Sequence, residues 1–276
     1  MKVRTVFGAR PEATKFTSVE AGLRIGDIQP SWPEEMNRKL TSPLADLHFP
    51  PTEDGQQNLL AENIPYGRIE VTGNAVIDAM FQAIGTIDDS PELQARLQSR
   101  FDFIDPDKRI VLATGHRRES FDGGLERVRR VLGEIAARRD FVALYPVHHN
   151  LYVQGSVNKI LHECDNVHLI PPLDNLDFLY LMRRAHIIVI DAGGIQEEVP
   201  SLGKPVLVAR DTTERAEAVK TGTVDLVGTD IEKLRHRLNA LLDDDAICQK
   251  LARAHNPYGN GRASKRNVKR LRHEYI

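Results

Sequence analysis

The stretch IIVIDAGGIQEEVPSLG, Ile187–Gly203, decides the fold. Ile187 to Ile190 is an unbroken apolar run, as in a strand buried on both faces. Gly193 and Gly194 follow, and a helical pattern opens directly after them. Two glycines between a strand end and a helix start make a place where backbone N–H groups and the helix dipole meet an anion. Glu197 and Glu198, one turn on, suit the hydroxyls of a sugar. A second apolar run, Pro205–Val208, leads into RDTTERAE, Arg210–Glu217, which adds fixed positive charge. Together these blocks point to a ligand of the nucleotide-diphosphate type.

Outward from this stretch the pattern is regular. Strand-like runs are expected at Arg109–Thr114, Phe141–Val147, Val167–Ile170, Ile187–Ile190, Pro205–Val208 and Val224–Val227. Helical spacing of apolar residues falls between most of them: Leu125–Arg139, Leu176–Ala185 and Ile231–Leu242. Strands alternating with helices imply a parallel sheet covered on both faces, an α/β Rossmann-like domain. Ligands of such sheets bind beyond the C-terminal strand ends, and the blocks at Gly115, His148, Gly193 and Arg210 all sit at such ends.

The first third reads differently. Lys2–Phe7 is a first strand, and GARPEATK after it is a strand-to-helix loop. Thr17 to Pro30 has no periodicity. Pro33 with Glu34 and Glu35 suits a helix start, Thr52 caps a helix through Asn63, Arg68–Thr72 reads as a short strand, and Gly73–Ile84 as a helix. This is too little alternating structure for a second complete Rossmann domain. The expected division is a truncated N-terminal domain at 1–90, a nucleotide-binding domain at 91–258, and a C-terminal helix at 259–276 packing back on the first.

The composition excludes several classes. The chain has 276 residues, 41% hydrophobic and 28% charged, with a formal net charge of −2. That balance gives no support for nucleic acid as a partner. The 2 cysteines form no CxxC, so a disulfide framework is not expected and a reducing cytoplasm is the natural compartment. No apolar run approaches the length of a membrane span.

Other motifs are open to two readings. ATGHRRES, Ala113–Ser120, puts His116 and two arginines at a strand end, suited to phosphate or to an ordinary surface loop. His148 and His149 lack a third ligand at metal-binding spacing, so no metal is assigned. Phe178 fits either stacking on a base or packing in the core. Arg10 and Lys15 of GARPEATK suit phosphate, without the glycine spacing of a dinucleotide or P-loop motif. Glu20, Glu34 and Glu35 are carboxylates suited to acid–base work or to a solvated surface.

Taken in order, GARPEATK, VEAGLRIGD, WPEEMNR, VTGNAVIDAM, TGHRRESF, NVHLIPPLDNLDFLYLM, DAGGIQEEVPSLGKPVLVARDTTER and AHNPYGNG resemble the non-hydrolysing bacterial UDP-N-acetylglucosamine 2-epimerases. The resemblance covers nearly every residue. It implies the GT-B-like architecture of two Rossmann-like domains, the N-terminal one truncated here and the C-terminal one complete. The implied reaction interconverts UDP-N-acetylglucosamine and UDP-N-acetylmannosamine by elimination of UDP to 2-acetamidoglucal and re-addition, for cell-envelope polysaccharide synthesis. It uses no metal and no other cofactor, and the family's usual assembly is a homodimer.

By the same resemblance, Glu20 and Glu34 are the acid–base carboxylates and His116 aids the departing diphosphate. Arg10 and Lys15 meet the diphosphate and sugar, and Phe178 the uracil. Ala192, Gly193 and Gly194 line the phosphate, Glu198 takes the ribose hydroxyls, and Arg215 completes the nucleotide site. The chain departs from the family between Phe16 and Val19, where a long segment with an HGDT carboxylate motif is expected. It departs also at Ala9, Leu173, Ala192 and Ala216, each standing where a polar residue or a proline is usual. A UDP-binding remnant with impaired turnover is the alternative reading.

Overall fold

The computed structural model describes residues 16–26, 33–114, 124–147, 164–190, 193–213, 215–228, 230–253 and 255–275. The chain divides into two compact units. The first comprises Met1–Phe81, Glu214–Glu217 and Asn256–Ile276, and the second Gln82–Thr213 and Ala218–His255.

The second unit is built on six parallel strands: β3 (Arg109–Thr114), β4 (Phe141–Pro146), β5 (Val167–Ile170), β6 (Ile187–Ile190), β7 (Val206–Val208) and β8 (Val224–Leu226). Their spatial order is β5-β4-β3-β6-β7-β8. The expected α/β class and parallel sheet are therefore present. Alternate residues Val111, Ala113, Phe141, Ala143, Tyr145, Ile187, Val189 and Leu207 face one core. Helix α5 (Gly124–Ile135) adds Val128, Val131, Leu132 and Ile135 to it, and α9 (Ile231–Asp243) adds Leu234, Leu238, Leu241 and Leu242. The residues of opposite parity, including Leu112, Leu144, Ile188 and Val206, are buried as well. Covering both faces is what makes these strands read as continuous apolar runs. Each such leucine contributes about 1.5–3 kcal/mol by burial.

Among the described residues of the first unit there is one pair of parallel strands, β1 (Thr17–Val19) and β2 (Leu47–Phe49). Beside them lie α1 (Glu34–Thr41) and α2 (Glu53–Ala61), and Thr52 caps α2 as expected, its hydroxyl accepting the Gly55 N–H at 3.2 Å. Helix α3 (Ala75–Asp88) begins in this unit, and α11 (Ala263–Tyr275) closes it. The Asp78 carboxylate accepts the N–H groups of Ala263 and Ser264, both at 3.0 Å, and so supplies the first turn of α11 with acceptors.

Two local expectations are corrected. Arg68–Thr72 is not a strand: a 3-10 turn occupies Tyr66–Arg68, and Ile69 makes only a single bridge to His48. Glu70 and Thr72 still donate their N–H groups to the carbonyls of His48 and Pro50, at 3.0 and 3.2 Å, but Pro50 has no N–H to return, so the pairing does not become a ladder. Thr17–Val19, which carries no periodicity, is a strand because pairing with the buried Leu47–Phe49 holds it extended.

Candidate functional site

The order of the six strands reverses between β3 and β6. β4 and β5 are added on one side of β3, and β6, β7 and β8 on the other. Thr114 and Ile190, the last residues of β3 and β6, are register partners. The chain therefore leaves these two adjacent strands at one point, the switch point where open parallel sheets bind ligands. Gly193 and Gly194 stand just beyond Ile190. They open a short helix, α7 (Ile195–Glu198), which runs on as the 3-10 turn Val199–Leu202 and stops at Gly203 in the left-handed conformation, φ +63°. The glycine pair thus ends in one tight turn rather than a long helix. In so short a helix the orphan N–H groups of the first turn outweigh a summed dipole.

Gly194 has right-handed helical angles, φ −61° and ψ −41°, that any residue adopts. A Cβ built on it meets no atom within 4 Å among the described residues, its own helix and chain neighbours aside, and the residue is exposed. Behind it the helix is anchored: Gln196 and Glu197 are buried, and the Thr213 hydroxyl donates to Gln196 Oε1 at 2.8 Å. Glu198 is only partly exposed, and burial pushes its carboxyl up to about 7.

Phe178 lies on α6 (Asn175–Arg184) and is half-buried, whereas its neighbours Asp177, Leu179, Leu181 and Met182 are buried. The helix start is held twice. Asp174 accepts the Asp177 N–H at 2.9 Å, and the buried Asp177 carboxylate pairs with Arg100 and, at 3.6 Å, with Arg96. Arg96 and Arg100 belong to α4 (Pro91–Arg100), a helix the apolar spacing does not announce. Burial raises the Asp177 carboxyl, and the Asp177 N–H lowers that of Asp174.

The carboxylates lie in the first unit. Glu20 follows β1 directly and has φ +60°, the left-handed region that non-glycine residues rarely occupy. Its Oε1 lies 3.6 Å from a guanidinium nitrogen of Arg215 and accepts from Asn74 Nδ2 at 3.4 Å. Arg215 is itself buried, at 5% exposure. Gly22, two residues on, is at φ +79°, and a Cβ there would sit 2.1 Å from the Gly55 carbonyl oxygen. Only glycine permits this turn, so the VEAG sequence aims Glu20 by backbone geometry.

Glu34 and Glu35 open α1 and have opposite settings. Glu34 is exposed. Glu35 is fully buried, and its carboxylate accepts the N–H groups of Ile25 and Gly26, each at 3.4 Å. Glu35 thus ties the loop after Glu20 to α1. Arg24 of the same loop makes a two-pronged pair with Glu62, both contacts 2.7 Å, and donates to the Ser42 hydroxyl at 2.8 Å.

The structure therefore brings Glu20 and Arg215 together and leaves Glu34 exposed on α1. Phe178, Gly193, Gly194 and Glu198 belong to the second unit. Arg10, Lys15, His116, Ala192 and the pair His148–His149 lie outside the described residues, as does the expected strand Lys2–Phe7. Among the described residues no group of three or more His, Cys, Asp or Glu side chains is placed to hold a metal ion. Nor is any helix among them long and apolar enough to cross a membrane. The sequence reading missed Asn74. Its signal was the GN pair before the apolar run of α3, a helix-capping pattern.

A family model described as UDP-N-acetylglucosamine 2-epimerase matches residues 6–272. A UDP-N-acetylglucosamine 2-epimerase of Yersinia pestis is 53% identical over 259 residues, which cover 94% of this chain and 69% of that protein. The protein of the same name from Escherichia coli K12 is 51% identical with the same coverage. Among solved structures, the UDP-GlcNAc 2-epimerase of Neisseria meningitidis bound to UDP-GlcNAc is similar with a TM-score of 0.89 and 43% identity, over 94% of this chain and 70% of that one. The S. aureus MnaA–UDP co-structure is similar with a TM-score of 0.85 and 37% identity, over 94% of this chain and 68% of that one.

Proposed function

This chain belongs to the UDP-N-acetylglucosamine 2-epimerase family, and from that premise we propose that it interconverts UDP-N-acetylglucosamine and UDP-N-acetylmannosamine. The observation that carries the reading is the switch point between β3 and β6, with Gly193 and Gly194 presented beyond it. A backbone that is open at Gly194 suits a close-approaching diphosphate. Glu198 takes the ribose hydroxyls in this reading, and Phe178 lies against the uracil. Arg10, Lys15, His116 and Arg215 carry the positive charge that a departing diphosphate needs.

The reaction requires a base at C2 of the sugar. In this assignment a carboxylate, Glu20 or Glu34, takes the C2 proton. The C1–O bond to UDP breaks and its electron pair leaves on the β-phosphate, giving UDP and 2-acetamidoglucal. Return of a proton to the opposite face of C2 and re-addition of UDP complete the inversion. No net oxidation occurs, and no metal or nicotinamide enters the balance. The product serves cell-envelope polysaccharide synthesis, and the cytoplasm, where nucleotide sugars are handled, is the compartment assigned. The homodimer usual in the family is part of the reading, with a mass of twice 31.0 kDa expected in light scattering.

One observation favours a second reading. The described first unit holds a single pair of strands, and the chain spans 69% of the length of its Yersinia and Escherichia relatives. A segment absent between Phe16 and Val19 would remove a third carboxylate and leave a UDP-binding protein with impaired turnover. Incubation with UDP-N-acetylglucosamine in deuterated water, followed by NMR at C2, separates the two. Deuterium at C2 with both epimers present supports the epimerase. UDP binding by calorimetry without exchange supports the remnant, and absence of UDP binding overturns both.

A further inference from the structure

We propose that Asn74 is a positioning residue that holds the Glu20 carboxylate in its working orientation; this rests on the epimerase reading for what Glu20 does. Asn74 is buried, at 5% exposure, and its two side-chain ends do different things. Its Oδ1 accepts the N–H of Val76 at 3.0 Å and so caps the start of α3, while its Nδ2 donates to Glu20 Oε1 at 3.4 Å. Its own backbone N–H donates to the Tyr258 carbonyl at 2.8 Å, so the residue is also fixed from behind. An amide is the group that does both jobs at once: the oxygen caps and the nitrogen donates.

Glu20 needs such a hold. A non-glycine residue at φ +60° is strained backbone that persists only where its surroundings enforce it. Arg215 and Asn74 both address Oε1, at 3.6 and 3.4 Å, and Arg215 is the charged group that the described residues bring to this carboxylate. Oε2 has no hydrogen-bond partner among the described residues. One oxygen is thus anchored and the other is presented for proton transfer. A carboxylate free to swing on a three-bond side chain would lose that alignment, and a displacement of about 1 Å costs on the order of 100-fold in rate.

Two variants test this. Asn74→Asp retains an oxygen for the Val76 N–H but replaces the donor to Glu20 with a second carboxylate. Asn74→Ala removes both functions, and crystal structures of the parent and both variants show where the Glu20 carboxylate lies. In Asn74→Asp the expected results are an unchanged melting temperature and a kcat for C2 exchange lowered about 10- to 100-fold, with KM and UDP affinity within about twofold of the parent. In the Asn74→Asp crystal structure the Glu20 carboxylate is expected to turn away from position 74, because the donor is gone and two neighbouring carboxylates repel. Asn74→Ala shows the same kcat loss together with a lower melting temperature. Parent kcat and an unmoved Glu20 carboxylate in Asn74→Asp would overturn the proposal. If the parent chain itself shows no exchange, the epimerase reading fails by that result, and the crystal structures alone still decide whether Asn74 holds Glu20.

Discussion

The two units carry their side chains into place by different means. In the second, six parallel strands share a core with α5 and α9, and the loops leave from strand ends that the sheet aligns. Gly194 is presented by the architecture itself, at the end of a strand that the sheet fixes, with the buried Gln196 and Glu197 behind it. In the first, the described residues hold two three-residue strands, and the loop after Glu20 is held by individual polar contacts. These are Glu35 to the N–H groups of Ile25 and Gly26, Arg24 to Glu62 and Ser42, and Asn74 and Arg215 to Glu20. A buried polar contact that loses one partner leaves the other unsatisfied. The setting of Glu20 therefore depends on single polar side chains, whereas the glycine turn depends on the sheet as a whole.

The comparison breaks most sharply at the carboxylate. Glu20→Gln is expected to lower C2 exchange about 1,000-fold, in the range of general acid–base catalysis, while UDP titrated by calorimetry binds as before. A matching loss of UDP affinity would give Glu20 a part in holding the nucleotide instead of the proton transfer assigned to it. Next in size, Arg24→Ala takes both prongs from the Glu62 carboxylate and one donor from the Ser42 hydroxyl, which keeps its own bond to the Arg38 carbonyl, and a loss of about 2 kcal/mol is expected from the broken charged contacts. Denaturant unfolding followed by hydrogen exchange is expected to place that loss in residues 16–81, with the six-stranded sheet unaffected.

The same pair makes a pH prediction. Arg24 holds the Glu62 carboxyl below its ordinary value of 4.5. A depressed carboxyl adds stability that is present above its unfolded value and is lost as pH falls through the folded one. Below about pH 4.5 the parent is therefore expected to converge on Arg24→Ala in midpoint denaturant concentration, and a constant gap down to pH 3 would discount the ion pair.

Smaller effects are expected in the second unit. Gly194→Ala leaves the fold intact, since the added Cβ meets none of the described residues outside its own helix and chain neighbours, and at this N-cap position alanine brings no gain in helix stability. Yet it stands where a diphosphate would approach, so about tenfold weaker UDP binding is expected, equal to roughly 1.4 kcal/mol. Unchanged affinity would remove the phosphate from this turn. Smallest is Glu198. Its carboxyl, raised to about 7, is ionised above that pH and accepts two hydroxyls only then. UDP-N-acetylglucosamine affinity is expected to weaken severalfold from pH 8 to pH 5.5, and Glu198→Gln to flatten that slope by removing the charge change. A parallel slope in both proteins would place the titrating group elsewhere.

Legibility in the sequence follows the same division. β3, β5 and β6 lie where the apolar runs predict them, and β4, β7 and β8 differ by a residue at one end. Strands buried on both faces leave uninterrupted apolar runs, which are hard to mistake. α4 was not legible, because Leu93 and Leu97 are too few apolar positions to show a period, although Ser90 and Pro91 mark its start. β1 was not legible either, since its extension depends on a partner 30 residues away in the register Thr17 to Leu47. Of the candidate site, Gly193 and Gly194 were visible as a strand-to-helix punctuation. The contrast between exposed Glu34 and buried Glu35 was not, because adjacent identical residues differ only in which way the helix turns them.

The sequence by itself determined the parallel α/β class, the strand ends of the second unit, the glycine turn beyond Ile190 and, by its ordered motifs, the family. Periodicity and punctuation are local properties, so the chain displays them before it folds. Only the tertiary structure decided that β3 and β6 are neighbours, that Arg215 returns to Glu20, and that Asn74 reaches the same carboxylate. Those depend on contacts between residues 54 to 195 positions apart. No local pattern encodes such distances, because they are set by how the packed elements bring distant backbone together.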